Sequence, residues 1–234
     1  MVRARDALVK ARTMLINSVR GQVKSLGGRL PRRNPGYFHK LGAEPPEALR
    51  DVLEPTMAAI AQLNEQIRAY DRRIDKLIED KYPEAAHLCK VGGVGPITGL
   101  TYVLTVEDPG RFRRARDVGP YLGLTRRRRQ NGDGDPELRI TKAGDGFLRR
   151  LLVQCAQHIL GPLGKDCALR RWGLQLVGHG GKGAKKRAAV AVARKLAVLL
   201  HRLWVTGEDY QPFLALATGE ESPPNAAQAA SEAA

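Results

Sequence analysis

Between residues 53 and 77 apolar side chains return at Leu53, Met57, Ile60, Leu63, Ile67, Tyr70, Ile74 and Leu77. Steps alternating between three and four residues form the seam of a coiled coil. Glu65, Arg68, Asp71, Arg72, Asp75 and Lys76 supply its charged flanks. The spacing predicts a helix over 53–82 that needs a helical partner, in this chain or in a second copy. A second stripe, Leu8, Leu15, Val19, Val23 and Leu26, predicts a basic amphipathic helix within residues 1–30, stopped by Gly27-Gly28. Its apolar face has no preceding element to pack on. Pro31, Pro35, Pro45 and Pro46 place a linker at 31–52. From residue 85 short apolar segments alternate with glycine turns, at 85–100, 115–124, 144–160 and 187–205. They predict a compact helical domain over 85–206, and the polar, Pro-bearing stretch 207–234 reads as a disordered tail. The fold class expected is mainly α.

Charge narrows the function. Across 234 residues, 39 Lys+Arg face 24 Asp+Glu, a net +15. Such an excess draws polyanions from a distance. Nucleic acid is the first candidate and an anionic membrane surface the second. No run of about 18 apolar residues is present to span a bilayer, and no apolar h-region follows the basic start. Cys89, Cys155 and Cys167 lack CxxC spacing. They read as reduced thiols of a cytoplasmic protein rather than zinc ligands or a disulfide frame.

Several stretches invite chemistry. Gly93-Val94-Gly95 between two apolar segments has the pattern of a helix–hairpin–helix, whose second helix offers N–H groups to a phosphate. Arg111, Arg113, Arg114, Arg116 and Arg126, Arg127, Arg128, Arg129 place eight arginines in nineteen residues, with Asp117 the one acid among them. Like charges at that density repel unless a polyanion arrives. Gly180-Gly181-Lys182-Gly183 resembles a P-loop only superficially, since Gly183 stands where a Ser or Thr would reach Mg²⁺. With Lys185 and Lys186 it reads as a basic loop. Asp133, Asp135, Glu137 and Asp145 lie in a Gly/Pro loop and read as turn formers rather than metal ligands. Residues 26–221 contain no serine, and Thr141 and Tyr121 remain possible hydroxyls.

Five segments, in order, carry a resemblance: LVKARTMLINSVRGQVKSLG, VGGVGPITGLTYVLTVEDPGRF, ARDVGPYLGLTRRRRQNG, RITKAGDGFLRRLLVQCA and AVARKLAVLLHRLW. They resemble the C-terminal part of insertion-sequence transposases of the one-ten/one-sixteen/nine-oh-two group. The resemblance implies a RuvC-like domain with four metal-binding carboxylates, a coiled coil, and a transposase domain with a catalytic serine. It implies cutting and rejoining of DNA with Mg²⁺, an RNA guide and an oligomeric assembly. The first helix then corresponds to the end of the RuvC-like domain.

This chain departs from that pattern twice. It begins after the four carboxylates, and where the family loop reads Gln-Ser-Gly it reads Gln130-Asn131-Gly132. An amide is a poor nucleophile. The expectation is a DNA-binding, transposase-related protein that is inactive alone, without catalytic residues or metal of its own. Its nucleic-acid contacts are expected at Gly93, Val94, Gly95, Arg111, Arg113, Arg114, Arg126 to Arg129, Thr141, Lys142, Lys182, Lys185 and Lys186. Its expected partners are DNA, a guide RNA and further copies joined through the coiled coil, with no membrane. The competing expectation is a non-catalytic partner or inhibitor of full-length transposases.

Overall fold

A computed structural model describes residues 1–40, 46–127, 138–178, 180–181 and 183–213. They are mainly helical, and β pairing among them is limited to one isolated antiparallel bridge between Arg126 and Ile140. The chain divides into two compact units, residues 1–90 with 94–108, and residues 91–93 with the chain from 109 onward.

In the first unit α1 (Val2–Ser25) and α2 (Glu47–Lys81) pack side by side. The pairing is antiparallel, because Arg5 bonds Asp71 while Arg12 donates to Asn64 Oδ1 at 2.7 Å. Ile16, Val19 and Val23 of α1 enclose a core with Leu53 and Ile60 of α2 and with Phe38. The seam from Leu53 to Ile60 therefore packs on α1 in cis, and Val19 and Val23 of the α1 stripe are buried in the same contact while Leu26 stays exposed. α2 starts at Glu47, directly after Pro46. Pro46 is the residue ahead of the helix, with an extended backbone and no N–H to leave unpaired there. Further along α2 the seam stays buried at Ile67 and Ile74, and beside its last position, Leu77, the neighbouring Ile78 is the buried residue; α3 (Pro83–Leu88) and α4 (Pro96–Val106) also pack against α2.

A polar cluster sits within this apolar pair. Asn64 is 2% exposed, accepts from Arg12, and donates Nδ2 to Gly36 O at 3.2 Å, with His39 Nδ1 3.1 Å away. Burial, then the neighbouring Arg5, hold the Arg12 guanidinium below its ordinary value, with Asp71 acting in the opposite sense. A buried amide with all its groups engaged favours one register of two helices, because sliding either leaves polar groups unpaired.

The second unit is organised around α8 (Ala184–Thr206), whose Val192, Ala193, Leu196 and Leu200 are fully buried. Its neighbours are α5 (Val118–Tyr121), α6 (Gly146–Leu160) and α7 (Ala168–Gly178). Residues 207–213 bond back to this unit while staying largely exposed: Pro212 O accepts from Ala168 N at 2.8 Å, and Glu208 pairs with Arg202 at 3.4 Å. The rest of the tail, 214–234, lies outside the described residues.

Asn64→Ala removes the acceptor of Arg12 and the donor to Gly36 while leaving both neighbours in place. Unfolding in urea is expected to show a loss of about 2–3 kcal/mol, the cost of orphaning buried polar groups. A loss below about 0.5 kcal/mol, the level of an ordinary surface change, would contradict the cluster's role.

Candidate nucleic-acid interface

The arginine-rich segment of the second unit rests on a backbone crossing. Residues 123–127 run antiparallel to 139–142: Arg127 N donates to Arg139 O at 3.1 Å, Thr141 N to Thr125 O at 2.9 Å, and Lys142 N to Gly123 O at 3.1 Å. The two strands approach so closely that a Cβ on Gly123 would collide with the main chain of Ala143, and one on Gly144 with Tyr121 O. Only glycine fits at either place. Arg149, reaching back from α6, donates to Leu122 O at 3.0 Å and to Ala143 O at 2.6 Å, and so ties both strands together. Asp145 Oδ1 caps α6 by accepting from Leu148 N at 2.7 Å.

On this crossing Arg126, Arg127, Arg139 and Lys142 are exposed, and Arg113, Arg114 and Arg116 are exposed earlier in the same unit. Arg111 is also exposed, but its guanidinium lies 5.0 Å from the Tyr121 ring centroid and 5.5 Å from that of Phe112. The rings meet edge to face, and Phe112 also packs edge-on against buried His201, whose Nε2 lies 2.9 Å from Pro109 O. This aromatic stack fixes the 109–112 turn on α8 and keeps Arg111 beside the crossing. Arg111, Arg126, Arg127, Thr141 and Lys142 thus fall in one region. Arg128, Arg129 and Asn131 lie outside the described residues, as do Asp133, Asp135 and Glu137.

Thr141 and Lys142 differ in kind. Thr141 Oγ1 is buried and has no hydrogen-bond partner among the described residues. Lys142 holds φ +59° with its side chain exposed. A left-handed backbone costs a non-glycine residue about 1–2 kcal/mol, and such strain collects at functional positions. Here the hydrogen bond from Lys142 N to Gly123 O and the packing of Ala143 on Gly123 impose it.

The Gly93 turn lies elsewhere. Gly93 has φ +90°, and a Cβ there would stand 2.9 Å from Ile159 Cγ1. It meets the C-terminal end of α6, whereas Lys142 to Gly144 precede the N-terminal end, a helix length of about 20 Å away. Val94 is buried. At the start of α4, Pro96 has no N–H, and those of Thr98 and Gly99 both go to Gly95 O at 2.9 Å. That leaves the α4 terminus with few donors for a phosphate. Gly95 has open space around its Cα and an ordinary φ, so the fold itself does not require glycine there.

Lys185 and Lys186 are exposed in the first turn of α8, which carries no acid, and Lys182 lies outside the described residues. Cations at a helix N-terminus oppose its dipole, so an anion there would be favoured. The described residues also offer no carboxylate set that fits a divalent cation, since Asp145 is occupied as a cap. The Arg149 clamp, the Asp145 cap and Arg139 were not singled out from the sequence. The glycines of LGLT and KAGD were the available signal.

These features define a helical domain that presents an arginine surface on a glycine-dependent crossing. Residues 85–166 match the family described as Transposase IS116/IS110/IS902, and the chain belongs to that family. It is 28% identical over 221 residues to the transposase for insertion sequence element IS1111A of Coxiella burnetii, covering 90% of this chain and 59% of that protein. Over 231 residues it is 31% identical to the "Probable family 20 transposase" of Pseudomonas aeruginosa, covering 91% of this chain and 64% of the relative. Over 160 residues it is 31% identical to the transposase for insertion sequence element IS1328 of Yersinia enterocolitica, covering 66% and 47% respectively. The chain therefore spans less than two thirds of the length of each of these relatives.

Two pairs of variants separate fold from binding. Gly93→Ala is expected to cost about 2 kcal/mol in thermal or urea unfolding, from its left-handed φ and the Ile159 contact. Gly95→Ala should leave stability within about 0.5 kcal/mol, and equal costs at the two positions would refute this assignment. Lys142→Gly is expected to raise stability by about 1 kcal/mol by relieving the left-handed backbone, while weakening binding to duplex DNA. A fall in stability would show that the Lys142 backbone is not strained.

Proposed function

We propose that this chain is a nucleic-acid-gripping portion of a transposase, which holds DNA by its phosphates and does not cut it by itself. The observation that carries this reading is the exposed set Arg126, Arg127, Arg139 and Lys142, held by the Gly123 and Gly144 crossing, with Arg113, Arg114 and Arg116 exposed in the same unit. Arginines held in place on a rigid support pair with phosphate oxygens without reading the base sequence. A guide RNA, with the same phosphate chemistry, is the second polymer this surface would accept.

The absence of cutting follows from the nucleophiles. Asn131 occupies the position that the family resemblance gives to the serine, and its amide cannot form the phospho-ester. Of the nearby hydroxyls, Thr141 Oγ1 is buried, Tyr121 lies under the Arg111 guanidinium, and Thr125 is half-buried within the crossing. The alternative reading, a non-catalytic partner or inhibitor that joins longer relatives through the 53–77 seam, has to displace α1 from Leu53, Met57 and Ile60, on which it packs in cis.

Fluorescence anisotropy of labelled duplex DNA and of a structured RNA, titrated at several salt concentrations, tests the binding claim. With six phosphates neutralised, log K against log [salt] is expected to slope at about −5. A slope near zero, or no saturable binding at physiological salt, would contradict it. In a strand-transfer assay the chain should give no product and no covalent adduct. An adduct mapped to Thr141 or Tyr121 would overturn the non-cutting reading.

A further inference from the structure

The first unit carries a second feature that the arginine surface does not absorb. Residues 29–40 read Arg-Leu-Pro-Arg-Arg-Asn-Pro-Gly-Tyr-Phe-His-Lys, with four formal cations and no acid. Arg29, Arg32, Arg33 and Lys40 are exposed. The segment ends in a tight 3₁₀ turn, Pro35–Lys40, that is anchored from below. Phe38 is wholly buried between α1 and α2, and the Arg20 guanidinium sits 5.3 Å from its ring centroid. Asn64 donates to Gly36 O, and Asn34 Oδ1 accepts from Gly36 N at 2.8 Å. On this fixed turn Tyr37 is 55% exposed, with Lys40 Nζ 5.8 Å from its ring centroid.

A lone exposed aromatic is ordinary on a protein surface. Tyr37 differs in its support and its surroundings. A buried amide of α2 is committed to holding the main chain beneath it, and every charged neighbour in the segment is positive. A preorganised aromatic ring among cations is the arrangement that stacks an unpaired base while its phosphates are neutralised. An anionic membrane would meet the same cations, but with Phe38 turned inward the turn offers it little apolar surface to insert.

We infer that Tyr37 is a stacking platform for an unpaired base of single-stranded nucleic acid, with Arg32, Arg33 and Lys40 taking the flanking phosphates. The inference rests on the nucleic-acid reading above for the class of polymer, but on none of the residues at 111–142. The first unit then contacts single strands, and the arginine surface of the second takes phosphates of either polymer.

The test compares the full chain with Tyr37→Ala and Tyr37→Phe, using a single-stranded oligouridine, the matching oligothymidine, a blunt duplex and phosphatidylserine vesicles. Tyr37→Ala is expected to weaken single-strand binding about tenfold, the scale of one lost base stack. Tyr37→Phe should bind as the parent does, and duplex binding should not change in either. In Tyr37→Trp the added indole emission should be quenched as oligouridine is titrated. Unchanged melting temperatures keep folding out of the comparison, since Tyr37 is exposed. Single-strand binding by Tyr37→Ala equal to the parent would overturn the inference. So would an equal loss for the duplex, or a Tyr37 dependence seen only with vesicles. If the parent binds no nucleic acid at all, the proposed function falls with it. Normal parental binding that ignores Tyr37 overturns this inference alone.

Discussion

Two strands of backbone cross at Gly123 and Gly144 more closely than any side chain allows, and the arginine surface is shaped by that approach. Because neither glycine can carry a Cβ, the segments 123–127 and 139–142 can lie against each other with three main-chain hydrogen bonds between them. Arg149 locks the crossing by bonding a carbonyl on each side, and the Asp145 cap sets where α6 begins. Repulsion among neighbouring arginines would otherwise favour a loose segment. Here the cost of holding them together is offset by packing beneath, including the Phe112, Tyr121 and His201 cluster under Arg111. The left-handed Lys142 is a separate cost, imposed by the close approach at Gly123.

The first unit meets a different constraint with a different device. An apolar helix pair can slide by a heptad at little loss, because leucine-like contacts are interchangeable. The Arg5–Asp71 pair and the Arg12–Asn64 contact are not interchangeable, so they favour one register for α1 on α2. The same asparagine holds the 3₁₀ turn at Gly36. Helix register and the placement of Tyr37 therefore depend on one buried amide.

Much of the helical content was legible because it is periodic. The 3-and-4 spacing from Leu53 to Leu77 announced a long helix with one buried face, and the stripe Leu15, Val19, Val23 announced another. Periodicity names a face but not what covers it, so the sequence left open whether the seam was closed by α1 or by a second copy. α7 went unseen because its short run, ALRRWGLQLVG, holds two arginines and two glycines within eleven residues. The residues 207–213 read as tail because their polar groups bond a distant helix rather than each other. At the site, the arginines were plain to see. The Gly123 and Gly144 crossing was not, since it joins positions about twenty apart and local pattern records nothing at that range. Asp145 stood among acids that looked alike until its capping bond separated it from them. The family resemblance, carried by ordered segments rather than by one motif, was legible in full.

The most direct measurement is a chemical footprint of the chain bound to duplex DNA, with arginine- and lysine-selective reagents read out by mass spectrometry. The account predicts protection at Arg113, Arg114, Arg126, Arg127, Arg139 and Lys142 when DNA is present, with Arg68, Arg72 and Lys76 of α2 modified as in the free chain. Protection confined to α2, or an unchanged pattern at 113–142, would contradict it.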